Sequence, residues 1–177
     1  MQILKTSISA QDPQLWQFIK FINYCFIRPG ELRQLKLSDI FFSENKILVR
    51  KEISKNKKSQ FVSIPTVFLE EMYKDGWHQL PGDYFVFSQT GLPGLQQIGL
   101  NSMRNRHQNI LKDLKFNTAR HKLYSWKHTG AVQFVKNGGS MKDLQLQLRH
   151  HSLDQVNTYL KDLGVGDSAY IINMPAI

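Results

Sequence analysis

Tyr159 closes the stretch "LRHHSLDQVNTYL" (residues 148–160), nine positions after the first of two adjacent histidines, His150 and His151. A phenol with a reference pKa of about 10 attacks nothing until its proton is removed, so a nucleophilic tyrosine needs basic and cationic company. Three other segments supply such groups. Arg28 opens "RPGELRQL", where Pro29 suits a first helical position and Glu31 lies in the first turn, so a guanidinium stands beside free amide N–H groups that favour an anion. Lys55, Lys57 and Lys58 crowd the polar stretch "SKNKKSQ", from which a lysine can reach a phosphate or protonate a leaving oxygen. "YSWKHTG" puts Tyr124, Lys127 and His128 at i, i+3 and i+4, on one face of a helix.

Each segment alone also has a plain structural reading. Arg28 can be a surface arginine paired with Glu31, the lysines a solvated turn, His128 a hydrogen-bonded histidine at a core edge, and Tyr159 a packing aromatic. A metal site has little to recommend it. Adjacent histidines point to different sides of a helix, and the single Cys25 offers no ligand cluster.

The elements that must position these residues follow from periodicity. "PQLWQFIKFINYCFI" carries Leu15, Phe18, Ile19, Ile22 and Phe26 near a 3.6 period, a core helix, and a second helix restarts at Pro29. From residue 46 the period is two: "KILVRKEI" and "FVSIP" bracket the lysine turn as a hairpin. "TVFLEEMYKDGW" predicts a helix stopped by Gly76, "DYFVFS" a short strand and "QTGLPGLQQ" a loop. Helices are expected over 98–115, 121–137, 140–149 and 152–162, the last opened by a capping box of Ser152 and Gln155. In the second of these "YSWKHTG" has an apolar stripe of Leu123, Trp126, Gly130 and Phe134 beside its polar face. The sum is one α+β domain, mainly α-helical with a small antiparallel sheet.

Composition narrows the partner. The 177 residues hold 23 Lys and Arg against 14 Asp and Glu, a formal charge of +9, with a sequence pI near 9.7. A polyanion is the natural partner of such a chain. Apolar residues at 41% exclude the composition of a disordered chain. Cys25, inside "FINYCFI", reads as a buried thiol in a reducing compartment. No charged-then-apolar leader opens the chain, and no apolar run approaches the ~20 residues needed to cross a bilayer, so a soluble cytoplasmic protein is expected.

Taken in order, "CFIRPGELRQLKLSDI", "SKNKK", "YSWKHT" and "LRHHSLDQVNTY" resemble the catalytic domain of tyrosine recombinases, the phage integrase family, over about residues 10–165. The form "YSWKHTG" resembles integrases of Bacteroides-type mobile elements. The resemblance implies a site-specific enzyme that cuts and rejoins double-stranded DNA through a 3′-phosphotyrosine link, without metal, ATP or cofactor. Two other activities fit the same fold: a non-catalytic DNA-binding module, or relaxation of the type IB topoisomerase kind. Carried over, Arg28 holds the scissile phosphate, Glu31 orients it, and Lys55, or Lys57, protonates the departing 5′ oxygen. His150 bonds the phosphate or positions Tyr159, the nucleophile.

Two departures stand out. Tyr124 and Lys127 occupy the places of the usual histidine and arginine, and lysine keeps the charge but loses the bidentate fork. Arg149 replaces the usual glycine, from where it can supply the missing guanidinium. Arg104, Arg106 and Arg120 are candidate DNA contacts by charge alone. The resemblance further implies a monomer in isolation, a tetramer in the synaptic complex, and exchange of a terminal element between protomers in the tail, residues 166–177. It also implies an N-terminal DNA-gripping domain, which this chain does not include.

Overall fold

The computed structural model describes residues 2–91 and 93–164; the tail lies outside the described residues. Two helices begin the chain, α1 (Gln2–Gln11) and α2 (Pro13–Tyr24). Asp12 separates them: its carboxylate accepts the Leu15 amide at 2.9 Å, capping α2, while Pro13 takes a first-turn position that needs no N–H. α2 is the central strut. Its Leu15, Phe18, Ile19, Phe21 and Ile22 are all buried, as the 3.6 period predicts. Phe18 and Phe21 meet Phe87 and Phe68 edge-on at 4.8 and 4.9 Å between ring centroids, the favoured geometry of aromatic pairs. Cys25 is fully buried beside them, and burial pushes its thiol pKa up. α1 is not anticipated by the periodicity, because only Leu4 and Ile8 turn inward.

After α2 the chain turns through Phe26, which adopts a left-handed φ of 53° and buries its ring in a second, smaller core. A single helical turn, α3 (Pro29–Leu32), follows. Three short strands then form an antiparallel sheet in sequence order: β1 (Ile40–Phe41), β2 (Lys46–Val49) and β3 (Gln60–Ser63). β2 pairs with β3 through Ile47 opposite Val62, both buried, and Val49 opposite Gln60. The expected strand over "KILVRKEI" stops at Val49, because the Arg50 guanidinium turns back to Asp39 Oδ1 at 2.6 Å and to the Gln34 carbonyl at 3.2 Å. "DYFVFS" is not a regular strand. It makes isolated bridges, Phe85 to Lys36 and to Gly94, and Ser88 to Gln97, because its neighbours are turns that cannot extend a ladder.

The remaining helices are α4 (Thr66–Lys74), α5 (Ser102–Asp113), α6 (Ser125–Lys136), α7 (Met141–Leu148) and α8 (Leu153–Asp162). α6 starts at Ser125 rather than at 121, because residues 122–125 close as a turn in which the Ser125 amide donates to the Lys122 carbonyl at 2.9 Å. α8 starts as the capping box predicts: Ser152 Oγ accepts the Gln155 amide at 3.3 Å, and Gln155 Oε1 accepts from the His151 amide at 2.9 Å. Among the described residues no helix is long and apolar enough to cross a membrane.

α6 lies directly on the end of α2. Asn23 Nδ2 donates to the Trp126 carbonyl at 3.0 Å, and the Trp126 indole donates to Nε2 of buried His107 at 3.1 Å, tying α6 to α5 as well. Burial, with the nearby charge of His121, lowers the His107 pKa to about 4, which keeps that acceptor nitrogen bare. The crossing is so close that a Cβ at Gly130 would stand 2.1 Å from the Asn23 carbonyl oxygen. Gly130→Ala should therefore force α6 away from α2 and cost about 1–3 kcal/mol, read as a lower thermal midpoint. An unchanged midpoint would show that the crossing yields easily.

Candidate active site

The site is organised by a carboxylate. Glu31 on α3 is 2% exposed and accepts four hydrogen bonds from three parts of the chain. Arg28 donates twice, through its backbone N–H to Oε2 and its Nη1 to Oε1, both at 3.0 Å. The Lys55 amide in the β2–β3 turn donates to Oε1 at 3.1 Å. Arg149, at the C-terminal end of α7, donates from Nη2 to Oε2 at 2.6 Å. Burial acts to raise the Glu31 pKa, but the Arg149 hydrogen bond and charge, with the two amide bonds, outweigh it and hold the carboxyl ionised below its ordinary 4.5.

Arg149 reaches Glu31 through an uncommon backbone. It caps α7 in the left-handed conformation, φ 59°, where a glycine would be unstrained. Its side chain is fully buried. Asn56 Nδ2 in the hairpin turn also donates to the Arg149 carbonyl at 3.1 Å, so the turn is joined to the helix end directly and, by the Lys55 amide, to Glu31. The amide of Arg28 is occupied by Glu31, which leaves the guanidinium, rather than a free helix start, as the group offered to an anion.

Beside this clasp lies Lys127 from α6, 1% exposed, whose Nζ finds no hydrogen-bond partner among the described residues. Burial, then the charges of Arg28 and Arg149, lower its pKa to about 7, against the opposing pull of Glu31. Arg149 Nε and Nη1 are equally buried and have no partner among the described residues. Three cations thus share one carboxylate, with buried donors in excess of acceptors: a site electrostatically short of an anion.

Tyr159 projects from α8 toward α6. Its hydroxyl lies 2.9 Å from His128 Nδ1. Tyr124 meets the His128 ring edge-on at 5.1 Å, and Lys127 Nζ lies 5.8 Å from the centre of the Tyr124 ring. The His150 ring stands perpendicular to Tyr159 at 5.6 Å, and its buried Nδ1 is without a partner among the described residues. Burial and the charges of Lys127, Arg28, His151 and Arg149 lower the His150 pKa to about 4. Burial and Lys127 lower that of His128, while burial and Tyr124 raise that of Tyr159. Both imidazoles are therefore neutral and the phenol protonated at neutral pH.

The sequence-derived residues divide cleanly. Arg28, Glu31, Lys55, Tyr124, Lys127, His128, Arg149, His150 and Tyr159 come together. Lys57, left-handed at φ 54°, and Lys58 are exposed on the turn, and the exposed Lys55 side chain is carried beside the clasp by its own amide. Arg106 does not present a free charge: Asp12 takes its Nε at 2.6 Å and also pairs with its Nη2, and Gln14 accepts from Nη1 at 2.5 Å. It braces α2 against α5. Arg120 is exposed, and Arg104 lines a cleft of about 220 Å³ with Pro29, Gly30 and Arg33. Asn56 is the contributor that spacing does not disclose, since its role depends on a carbonyl 93 residues away. Among the described residues no cluster of His, Cys, Asp and Glu could hold a metal ion.

A larger cavity, about 480 Å³, lies between Pro13, Gln14, Trp77, Leu80 and Phe87 and shares no residue with this cluster.

The family model described as "Phage integrase family" matches residues 1–163. The chain belongs to the phage integrase family. No curated protein matches it. Among solved structures it is similar to XerA recombinase, at 22% identity and a TM-score of 0.71, over 98% of this chain and 62% of that one. The integrase of transposon Tn1549, in complex with circular intermediate DNA, is similar at 15% identity and a TM-score of 0.65, covering 89% and 59%. The catalytic domain of bacteriophage HP1 integrase is similar at 16% identity and a TM-score of 0.62, covering 94% and 84%. At these identities the likeness is one of fold, and the chain spans less than two-thirds of XerA. The helical domain with a small antiparallel sheet expected from the sequence is thus the fold of this phage integrase family member.

Loss of the Glu31 charge should unmake the clasp. Glu31→Gln leaves buried Arg149 without a counter-charge and should cost about 3–5 kcal/mol, the usual penalty for removing one partner of a buried pair. Because the folded pKa is lowered, the wild-type contribution is complete above the unfolded value and is lost as pH falls through the folded one. Urea melts of wild type between pH 6 and 3 should show this loss, and Glu31→Gln should flatten that part of the profile. Parallel profiles would remove Glu31 as the organiser.

Proposed function

We propose that this chain is the catalytic domain of a site-specific recombinase of a bacterial mobile element, cutting and rejoining double-stranded DNA through a 3′-phosphotyrosine intermediate. The observation that carries it is the Tyr159 hydroxyl, 2.9 Å from an imidazole nitrogen and beside a buried excess of cations. Solved relatives bound to DNA, such as XerH on its difH substrate, support the choice of partner.

In the forward step the Tyr159 oxygen attacks the scissile phosphorus, the Tyr159 O–P bond forms and the bond to the 5′ oxygen breaks. The Lys55 ammonium gives the departing oxygen its proton, with Lys57 as the alternative donor. The phosphotyrosine keeps the energy of the broken phosphodiester, so the reverse attack by a 5′ hydroxyl needs no ATP. Arg28 holds the phosphate and His150 offers it a ring nitrogen, while Lys127, as buried as Arg149 in the free protein, supplies its charge from beside the site. Arg149 supplies the second guanidinium charge. Being fully buried, it acts in the free protein through its field and through Glu31 rather than by contact. Charges fixed in a dry site need no reorganisation as negative charge spreads over the phosphate oxygens. The protein works as a monomer until four copies meet on paired DNA sites, in the cytoplasm with the nucleoid. Among the surface arginines, Arg104 and Arg120 are free to meet phosphates, and Arg106 is not.

A nicked suicide duplex built from the DNA flanking the element should trap wild type as a covalent adduct on a denaturing gel, and Tyr159→Phe should abolish the band while still binding. A wild type that binds without an adduct would favour a non-catalytic DNA-binding module, and an adduct on any sequence would favour topoisomerase-like relaxation.

Lys127 adds a pH signature. The phosphate needs its charged form, and its pKa is about 7, so affinity at fixed salt should fall between pH 6.5 and 8.5, by at most about tenfold per pH unit. Lys127→Arg stays charged and should abolish the fall. A wild-type affinity flat across that range would show that Lys127 does not bear on the phosphate.

A further inference from the structure

Resting on the recombinase reading, a second assignment concerns where the Tyr159 proton goes. We infer that His128 is the general base of the cleavage step: its Nδ1 takes the proton of the Tyr159 hydroxyl as the phenolic oxygen attacks phosphorus, and returns it when the strand is rejoined. Nδ1 lies 2.9 Å from that hydroxyl, inside the range for direct proton transfer.

The other groups around the phenol are each unsuited. Tyr124, one turn earlier on α6, is itself a phenol and cannot accept a proton near neutral pH. His150 presents its ring perpendicular to Tyr159 at 5.6 Å and makes no hydrogen bond to its hydroxyl. Lys127 Nζ stands by the Tyr124 ring and makes no hydrogen bond to the Tyr159 hydroxyl. Tyr124 and His128 are four residues apart, so both lie on the face of α6 that meets α8.

The tautomer follows from the pairing. The hydroxyl carries its proton, because burial holds the phenol protonated, so it donates and Nδ1 accepts, leaving the ring proton on Nε2. The charged and titratable groups facing this pair are Lys127 and Tyr124 on α6, His150 at the α7–α8 turn and Tyr159 on α8, with Arg28 and Arg149 beyond Lys127. Burial and Lys127 depress the His128 pKa, so the base is ready at neutral pH. Protonation of its Nδ1 is tolerable only while phosphate occupies the cationic cluster, which couples base action to bound DNA.

Single-turnover cleavage of the nicked duplex, measured with the full chain, separates base from brace. His128→Asn places an amide oxygen near the Nδ1 position and preserves the hydrogen bond without basicity. It should bind DNA normally, lose roughly 100- to 10,000-fold in rate, and lose the acid limb that wild type shows below pH 6.5. His128→Ala should be partly rescued by added imidazole. In the free protein, histidine ring ¹⁵N shifts should show Nδ1 bare and Nε2 protonated.

A His128→Asn rate within a few-fold of wild type would make His128 a positioning residue and overturn the assignment. A faster variant would make the 2.9 Å contact a resting latch, and a protonated Nδ1 would reverse the donor; either result also overturns it. These failures leave the Tyr159-dependent adduct intact. Failure of the recombinase reading shows instead as a wild type that binds but forms no adduct, and the base assignment falls with it.

Discussion

A carboxylate removed from water must be met by donors or by a proton, and Glu31 is met by donors brought from far apart in the chain. Arg28 is a near neighbour on α3, but Lys55 lies in the hairpin turn and Arg149 at the end of α7, 118 residues away. None of the three segments is held in place by core burial alone. The turn is mostly solvated, α3 is a single helical turn, and Arg149 sits in a backbone conformation that disfavours it. The charge on Glu31 draws the three segments together against that strain, so completing the fold and assembling the cationic cluster are one event.

Once Glu31 is in place, the surrounding positive charge exceeds what it neutralises. Lys127 and Arg149 bury donors with no acceptor among the described residues, and two of the neighbouring histidines have their pKa values pushed down. Cores built for stability avoid such an arrangement, whereas sites that await an anion require it. The Lys127 side chain is the clearest case. An arginine in its place would stay charged at any physiological pH, but a lysine yields its proton when crowded, which makes the charge at this position responsive to pH.

Tyr159 rests on a separate piece of packing. α6, α7 and α8 share the second core of Phe26, Ala131, Val135, Leu144, Leu148, Val156 and Leu160, against which Tyr159 is half buried. Phe26 joins this core to α2, and Gly130 lets α6 press on the same place. The depth of the phosphate cluster and the reach of Tyr159 therefore meet at α6, which carries Lys127 for one and His128 for the other.

Much of this was legible from residue order. The 3.6 period marked α2 and the late helices, Ser152 and Gln155 marked the start of α8, and the polar face of "YSWKHTG" placed Tyr124, Lys127 and His128 together, since caps and helix faces are decided within a few residues. Residue type and order also raised Arg28, the hairpin lysines and Tyr159 as candidates, and the family resemblance added Arg149 and the choice of Lys55. It could not show that Arg106 is engaged by Asp12, that Asn56 ties the hairpin to Arg149, or that "DYFVFS" pairs only with turns. Nor could it choose between His128 and His150 beside Tyr159. Those outcomes depend on which distant side chains arrive within 3 Å of one another and how much water leaves with them, quantities that do not exist until the chain has folded.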